Sequence, residues 1–379
     1  MPGQSPACLM NSLSRRVALT FLGTCPLAPS TALSRPQRAA HPPTASDPAH
    51  GGRPGAYAQR ADVRDWVNAQ TAAQGALAGW AADTVLQRLG EARYQRRVAQ
   101  LILPPPVGVA KDWNAYRRRF IEPRRLQAGL RFWAEHADAL ARAESRFGVP
   151  ASLVLGILGV ETFYGQIMGG FRVLDALATL AFDFPRGRSD RSSFFREELA
   201  AFLLLAQAEG RPVTTFKGSF AGAMGLGQFM PSSWRRHAID FDGDGHIDLV
   251  ANPSDAIGSV ANFLREHGWT PGLATHWTVD VPSDPAEQER LLGAGIEPRW
   301  SAADLQALTL PEPVQAGVAA QGPWALVQLE NGGAAPPSHL LGSRNFWVVT
   351  RYNRSAYYAL AVIELGEELA RLRSAGLAD

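Results

Sequence analysis

Thiols are scarce in this chain of 379 residues: its two cysteines, Cys8 and Cys25, both lie near the N-terminus. The folded part therefore has no thiol pair and no thiolate metal site. Long apolar runs are missing as well. Val17 to Gly23 is too short to span a bilayer as a stable helix, and Leu101 to Val109 is interrupted by three prolines. An excess of one charge is also absent. Lys and Arg number 37 against 35 Asp and Glu, and a net charge of +2 is too weak to argue for nucleic acid. What remains, 46% hydrophobic and 19% charged residues, describes an ordinary globular protein long enough for two or three domains.

The chain start reads as an address. Ser14-Arg15-Arg16 precedes the Val17 to Gly23 run and then small residues and prolines, so residues 1–34 are expected to be an export signal and the protein periplasmic. The arginine pair is a weak twin-arginine signal. Leu22-Gly23-Thr24-Cys25 is a poor lipidation box, which leaves a lipid anchor on Cys25, and outer-membrane association through it, as a secondary expectation. Residues 35–56, rich in Pro, Ala, Gly and His, read as an unstructured tether.

Helical periodicity dominates beyond that point. From about Tyr57 to Leu103, Val63, Trp66, Val67 and Gln70 share one face, followed by Leu77, Trp80, Val85, Leu86 and Leu89. A helix is predicted over 126–146, where Leu130, Trp133, Ala137 and Leu140 share a face and Gly148 supplies the stop. Pro150 opens the next helix at a tolerated first-turn position. Further helices are predicted at 174–182, 194–208, 253–267 (Asn252 as N-cap, Gly268 as stop) and 356–373. Around residue 276 the texture changes: β-rich pieces at 275–281, 324–329 and 346–350 suggest a small β insertion.

Four stretches carry chemistry. On the helix after Pro150, Val154, Ile157, Leu158 and Glu161 share a face, which places a carboxylate on an apolar stripe. Burial there raises a carboxyl pKa, as a proton donor near neutrality requires, although a structural ion pair would bury a Glu equally well. In the 218–234 stretch, Gly222, Gly225 and Gly227 leave the backbone bare for close approach. Ser219 and Gln228 offer neutral hydrogen-bonding groups there, and Phe229 and Met230 apolar walls, a mixture that suits a sugar. In Asp240-Phe-Asp-Gly-Asp-Gly-His-Ile-Asp248, acidic residues at positions 1, 3 and 5, Gly at 6 and an apolar residue at 8 fit an EF-hand calcium loop. His246 would serve through its carbonyl, and Asp255 would replace the missing position-12 Glu, where Ala251 stands. Arg351-Tyr-Asn353 and Tyr357-Tyr358 close the set with side chains that commonly stack on or bond to sugars.

Together these stretches resemble the lytic murein transglycosylase B family of bacterial peptidoglycan-cleaving enzymes. The resemblance rests on Gly-Val-Glu-Thr-x-x-Gly at 159–165, the 218–234 stretch, the Asp-rich loop, Asp255-Ala-Ile-Gly-Ser-Val-Ala-Asn262 and Arg351-Tyr-Asn353, in the family's order, and covers roughly Tyr116 to Tyr358. It implies a mainly α (α+β) fold: a lysozyme-like helical core at 147–272, a helical domain of 57–146 completed by 351–379, and a small β domain at 273–350. It also implies a catalytic Glu161, saccharide contacts at Tyr116, Arg186, Ser219, Gln228, Asn353 and Tyr358, and a structural Ca2+ at Asp240, Asp242, Asp244, His246 and Asp255. Two departures stand out: Asp242 occupies a position where relatives can carry Ser, and in Pro185-Arg186-Gly187-Arg188 a paired arginine is split by Gly187.

Hydrolytic glycosidases generally use two carboxylates, and only Glu161 is defensible here. The implied reaction is then a lyase step on peptidoglycan strands by a monomer: Glu161 protonates the glycosidic oxygen, then takes a proton from the muramyl C6 hydroxyl as a 1,6-anhydro ring closes. Ser219 would hold this geometry by bonding Glu161 or the N-acetyl group. The rivals are a muramidase with Asp175 or Asp183 as second carboxylate, and a non-catalytic, calcium-dependent murein-binding protein.

Overall fold

A computed structural model describes residues 55–104, 111–282 and 284–376. The export signal, Cys25 and all but the end of the 35–56 tether lie outside the described residues. Helices dominate, and short strands form one two-stranded and one three-stranded sheet. No helix among the described residues is long and apolar enough to cross a membrane by itself.

The Ala151–Thr162 helix is the hub. Leu153, Val154, Leu155, Ile157 and Leu158 are all buried, so for most of its length no face meets water. Each such side chain contributes roughly 1.5–3 kcal/mol on burial. The Ala356–Ser374 helix packs against it almost backbone to backbone. A Cβ on Gly156 would lie 2.1 Å from the Val362 carbonyl oxygen, and one on Gly366 2.3 Å from that of Ser152. Only glycine allows this contact, and it brings the C-terminal helix alongside Glu161.

The other predicted helices form as Val173–Phe182, Ser192–Ala208 and Pro253–Glu266. Asn252 caps the last of these, its Oδ1 accepting from Ser254 N at 3.0 Å. The N-terminal stretch divides into Ala56–Gln59, Ala61–Thr71, Ala82–Gly90 and Arg96–Leu101. The helix predicted over 126–146 is two: Pro123–Glu135, capped by the Glu122 carboxylate, and Ala137–Phe147, separated at His136. Neither proline nor glycine marks that break in the sequence.

The small unit is a three-stranded antiparallel sheet in which Ser338–Gly342 lies between His276–Thr278 and Ala325–Leu329. In the last strand Ala325, Val327 and Leu329 face the main core, while Trp324 and Leu326 join a second cluster with Leu291, Leu305, Val318 and Leu341. The helices Pro285–Leu292 and Glu312–Gln321 belong to this unit. One expectation is overturned: 346–350 is not a strand but the middle of the helix Arg344–Tyr352. Ser343 starts it, its Oγ accepting from Asn345 N at 3.0 Å and Phe346 N at 3.4 Å. Cap and amphipathic spacing outweigh the β-branched composition of the segment.

Candidate active site: a carboxyl between tyrosines

Glu161 is the penultimate residue of the hub helix, half-buried where that helix opens toward the surface. Its Oε1 accepts a 2.6 Å hydrogen bond from the Tyr358 hydroxyl, delivered by the first turn of the C-terminal helix. Burial raises its pKa to about 7, and the Tyr358 bond, which favours the charged form, opposes that rise. Among the described residues it forms no ion pair, so the structural ion-pair reading of this glutamate does not hold. Near neutrality such a group is protonated in about half the molecules and can give or take a proton equally well. The phenol of Tyr358 is held well above its ordinary pKa by burial and by the Glu161 charge, and so stays a donor. Tyr116, on the short helix Trp113–Arg117, is raised by burial and by the same charge, which places it too beside the carboxyl.

Local backbone strain fixes this corner. Phe163 and Tyr164 take left-handed conformations (φ 53° and 56°) immediately after the hub helix, and Gln228 does so (φ 49°) in the glycine-rich loop. Among the described residues these three are the non-glycine positions with positive φ, and all border Glu161 or its loop. Such strain collects at sites whose geometry is over-determined by surroundings. Thr162 ties the two segments together: its Oγ1 lies 2.8 Å from the Leu226 carbonyl oxygen and accepts from Gly165 N at 3.0 Å.

The remaining sugar-binding candidates divide. Gln228 is buried, donating through Nε2 to the carbonyls of Met168 (3.2 Å) and Gly225 (3.0 Å), while its buried Oε1 has no partner among the described residues. Asn353 is buried just past the Arg344–Tyr352 helix. Ser219 is buried, its Oγ accepting from Ala221 N (3.3 Å) and Ala223 N (3.0 Å), which holds its own loop. It makes no hydrogen bond to Glu161, whose partner is Tyr358, which leaves the N-acetyl group as the expected partner for its hydroxyl proton. Phe229 is turned inward, edge-on to Phe263 (6.0 Å) and Tyr352 (5.9 Å), and backs the loop from behind. Arg186 is exposed in the 183–191 connection. Tyr352, part of the Arg351-Tyr-Asn353 stretch but given no role of its own there, donates through its hydroxyl to the Gly227 carbonyl at 2.5 Å and stacks its ring on Tyr358 at 6.5 Å.

Both alternative carboxylates are occupied elsewhere. Asp183 accepts from the Tyr57 hydroxyl and from Arg60 Nη1, each at 2.7 Å, and so anchors the N-terminal helices. Asp175 is buried, accepting from Arg93 N (3.0 Å) and Gln95 Nε2 (3.1 Å).

The family description "Transglycosylase SLT domain" matches residues 62–367, most of the chain. The chain belongs to the transglycosylase SLT domain family. Membrane-bound lytic murein transglycosylase B of Escherichia coli is 43% identical over 271 residues, 71% of this chain and 70% of that protein. The crystal structure of soluble lytic transglycosylase SltB1 from Pseudomonas aeruginosa superposes with a TM-score of 0.71 at 38% identity, covering 83% of this chain and 99% of that one. The Escherichia coli lytic transglycosylase Slt35 in complex with calcium gives 0.69 at 36% identity, over 84% and 95%. The helical fold and its small sheets are those of this lysozyme-like family.

In this SLT-domain chain three of the predicted loop residues come together. Carboxylate oxygens of Asp240, Asp242 and Asp244 lie within 4.8 Å of one another, a hard-oxygen donor set suited to calcium. Asp240 braces the turn by accepting from Gly243 N (2.7 Å) and Gly245 N (2.8 Å). Asp255 stands behind this trio, fully buried, its two oxygens accepting from Phe241 N (2.7 Å) and Asp248 N (2.8 Å). It thus clips both ends of the loop to the Pro253–Glu266 helix. The His246 ring, which the expected carbonyl ligation does not use, lies 3.6 Å from Glu209.

Proposed function

We propose that the chain is a peptidoglycan lytic transglycosylase that cleaves the β-1,4 bond between N-acetylmuramic acid and N-acetylglucosamine, with Glu161 as its one proton-transfer group. The observation that carries this reading is the Glu161 carboxyl, raised to about 7 and, among the described residues, without an ion pair and hydrogen-bonded by Tyr358 alone. Protonated Glu161 donates to the glycosidic oxygen as the bond from muramyl C1 to that oxygen breaks. Tyr358, bonded to the charged form, stabilises the carboxylate this leaves. The muramyl N-acetyl carbonyl supports the cation at C1. Glu161 then accepts the C6 hydroxyl proton as O6 bonds to C1, which closes the 1,6-anhydro ring and restores the acid. No water enters the balance.

Gln228, Asn353 and Tyr116 line the saccharide side in this reading. The muramidase alternative requires a second free carboxylate, and Asp175 and Asp183 are committed to structural partners. A purely sugar-binding role leaves the cost of burying Glu161 without purpose. Calcium would be held by Asp240, Asp242 and Asp244 and would tie the loop together, supplying no step of the reaction. Export to the periplasm, with or without an anchor on Cys25, belongs to the same reading.

Mass spectrometry of digested murein tests it. Anhydromuramyl products are expected, and reducing-end products heavier by one water would refute the lyase assignment.

A further inference from the structure

Both tyrosines that flank Glu161 trace back to one turn of the small sheet unit. That turn follows the Ala325–Leu329 strand and begins with Glu330 and Asn331. The Glu330 carbonyl accepts from Trp113 N at 2.7 Å and from the Tyr357 hydroxyl at 3.3 Å, and Glu330 N donates to the same hydroxyl at 2.6 Å. Asp112 forms an antiparallel bridge with Asn331, and its Oδ1 caps the Tyr116 helix by accepting from Ala115 N at 2.9 Å. Gly332, at φ 76°, fits so closely that a Cβ would come within 3.0 Å of Asp112 Oδ2.

Tyr357 sits at the junction. Its ring meets Tyr116 edge-on at 5.9 Å and Trp113 at 6.1 Å, and it immediately precedes Tyr358 in the first turn of the C-terminal helix. Fixing one residue of a helical turn fixes the azimuth of the next, because successive side chains are held about 100° apart. The hydroxyl of Tyr357 therefore constrains two neighbours at once: Tyr358 through the backbone and Tyr116 through ring contact.

We propose that Tyr357 is a positioning residue, through which the turn at Glu330 sets the two tyrosine walls of the Glu161 site. The small sheet unit then acts on the reaction without touching the bond being cleaved. This inference rests on the lytic reading for its rate effects but not for its structural ones. The titratable groups facing Glu161 are Tyr116 and Tyr358, with Arg119 acting on Tyr116; Lys111, Asp112 and Glu330 surround Tyr357.

The test uses Tyr357→Phe, which removes only the hydroxyl, and Gly332→Ala, which wedges the turn from the other side. Two readouts are taken: the titration midpoint of the Glu161 carboxyl by carbon-13 NMR without substrate, and kcat and KM on murein glycan strands. In each variant the displaced Tyr358 hydroxyl bonds the carboxylate less well, so the midpoint moves up and kcat falls by about fivefold. The double variant should be little worse than either single one, because both act through the same turn. A Tyr357→Phe protein with a wild-type midpoint overturns the proposal, whatever happens to its melting temperature. Should Gly332→Ala fail to fold, Tyr357→Phe alone decides. A shifted midpoint with hydrolytic products would instead defeat the lytic reading and leave the positioning role standing.

Discussion

Replacing Tyr358 by Phe removes one hydrogen bond, 2.6 Å long, to a carboxyl whose ionisation governs the site. The direction of the effect follows from which form the bond favours. The phenol donates, so it stabilises the charged carboxylate and works against the upward push of burial. Without it the proton is held more tightly and the pKa rises further above about 7. A hydrogen bond to a charged group contributes about 1.5–3 kcal/mol. At 1.36 kcal/mol per pKa unit, and discounted because Glu161 is not fully buried, the rise should be about one unit. Only the protonated form enters the cycle, because the first half-reaction itself generates the carboxylate, so the alkaline limb of the pH–rate profile for anhydromuramyl release should move up by the same amount. The plateau rate falls, because the carboxylate left by proton donation has lost the Tyr358 hydrogen bond. The assay is release of anhydromuropeptides from murein between pH 5 and 9, with Tyr358→Phe and wild type side by side. An unmoved or acid-shifted profile would refute this reasoning.

Other consequences are as direct. Glu161→Gln should abolish turnover while keeping glycan binding, as titration calorimetry with murein oligosaccharides would check. The same variant reports on stability. The folded pKa lies above the ordinary carboxyl value of 4.5, so wild type loses stability as pH rises from about 4.5 to about 7. Glu161→Gln avoids that loss, and denaturant melts should show it gaining about 1–3 kcal/mol on wild type above pH 7 and nothing at pH 4. Asp240→Asn should remove most of any rise in melting temperature that calcium gives over a chelator, while the calcium-free melt falls only by the loss of one of its two bonds to Gly243 N and Gly245 N. Gly156→Ala forces a Cβ against the Val362 carbonyl and should destabilise the fold by about 1–3 kcal/mol or more in urea titrations.

How far the sequence reveals the molecule depends on the range of the force involved. Helices with strong local signals were legible: Asn252 and Gly268 bracket Pro253–Glu266, and an apolar run marks the hub around Glu161. The break at His136 and the helix at 344–352 were not, since the first depends on tertiary packing and the second on a Ser343 cap that β-branched neighbours mask. The central Ser338–Gly342 strand is Ser-His-Leu-Leu-Gly, without β-branched residues, and one of its two pairing partners, His276–Thr278, lies far back in the chain. At the site, Glu161 could be picked out because a charge on an apolar stripe is locally anomalous. Its hydrogen-bond partner could not, because Tyr358 lies 197 residues away and only the packing of two helices brings them together. Ser219 looked equally suitable, and its hydroxyl oxygen accepts two hydrogen bonds within its own loop. The commitment of Asp183 to Arg60 and Tyr57 was hidden for the same reason of distance.

The sharpest measurement is cleavage of murein in water enriched in oxygen-18, with the products weighed. If one carboxyl passes a proton out and back while the sugar's own O6 closes the ring, the muramyl ends carry no heavy oxygen. Label at C1 of those ends would mean that water, not O6, attacks, and that a second activating group is at work.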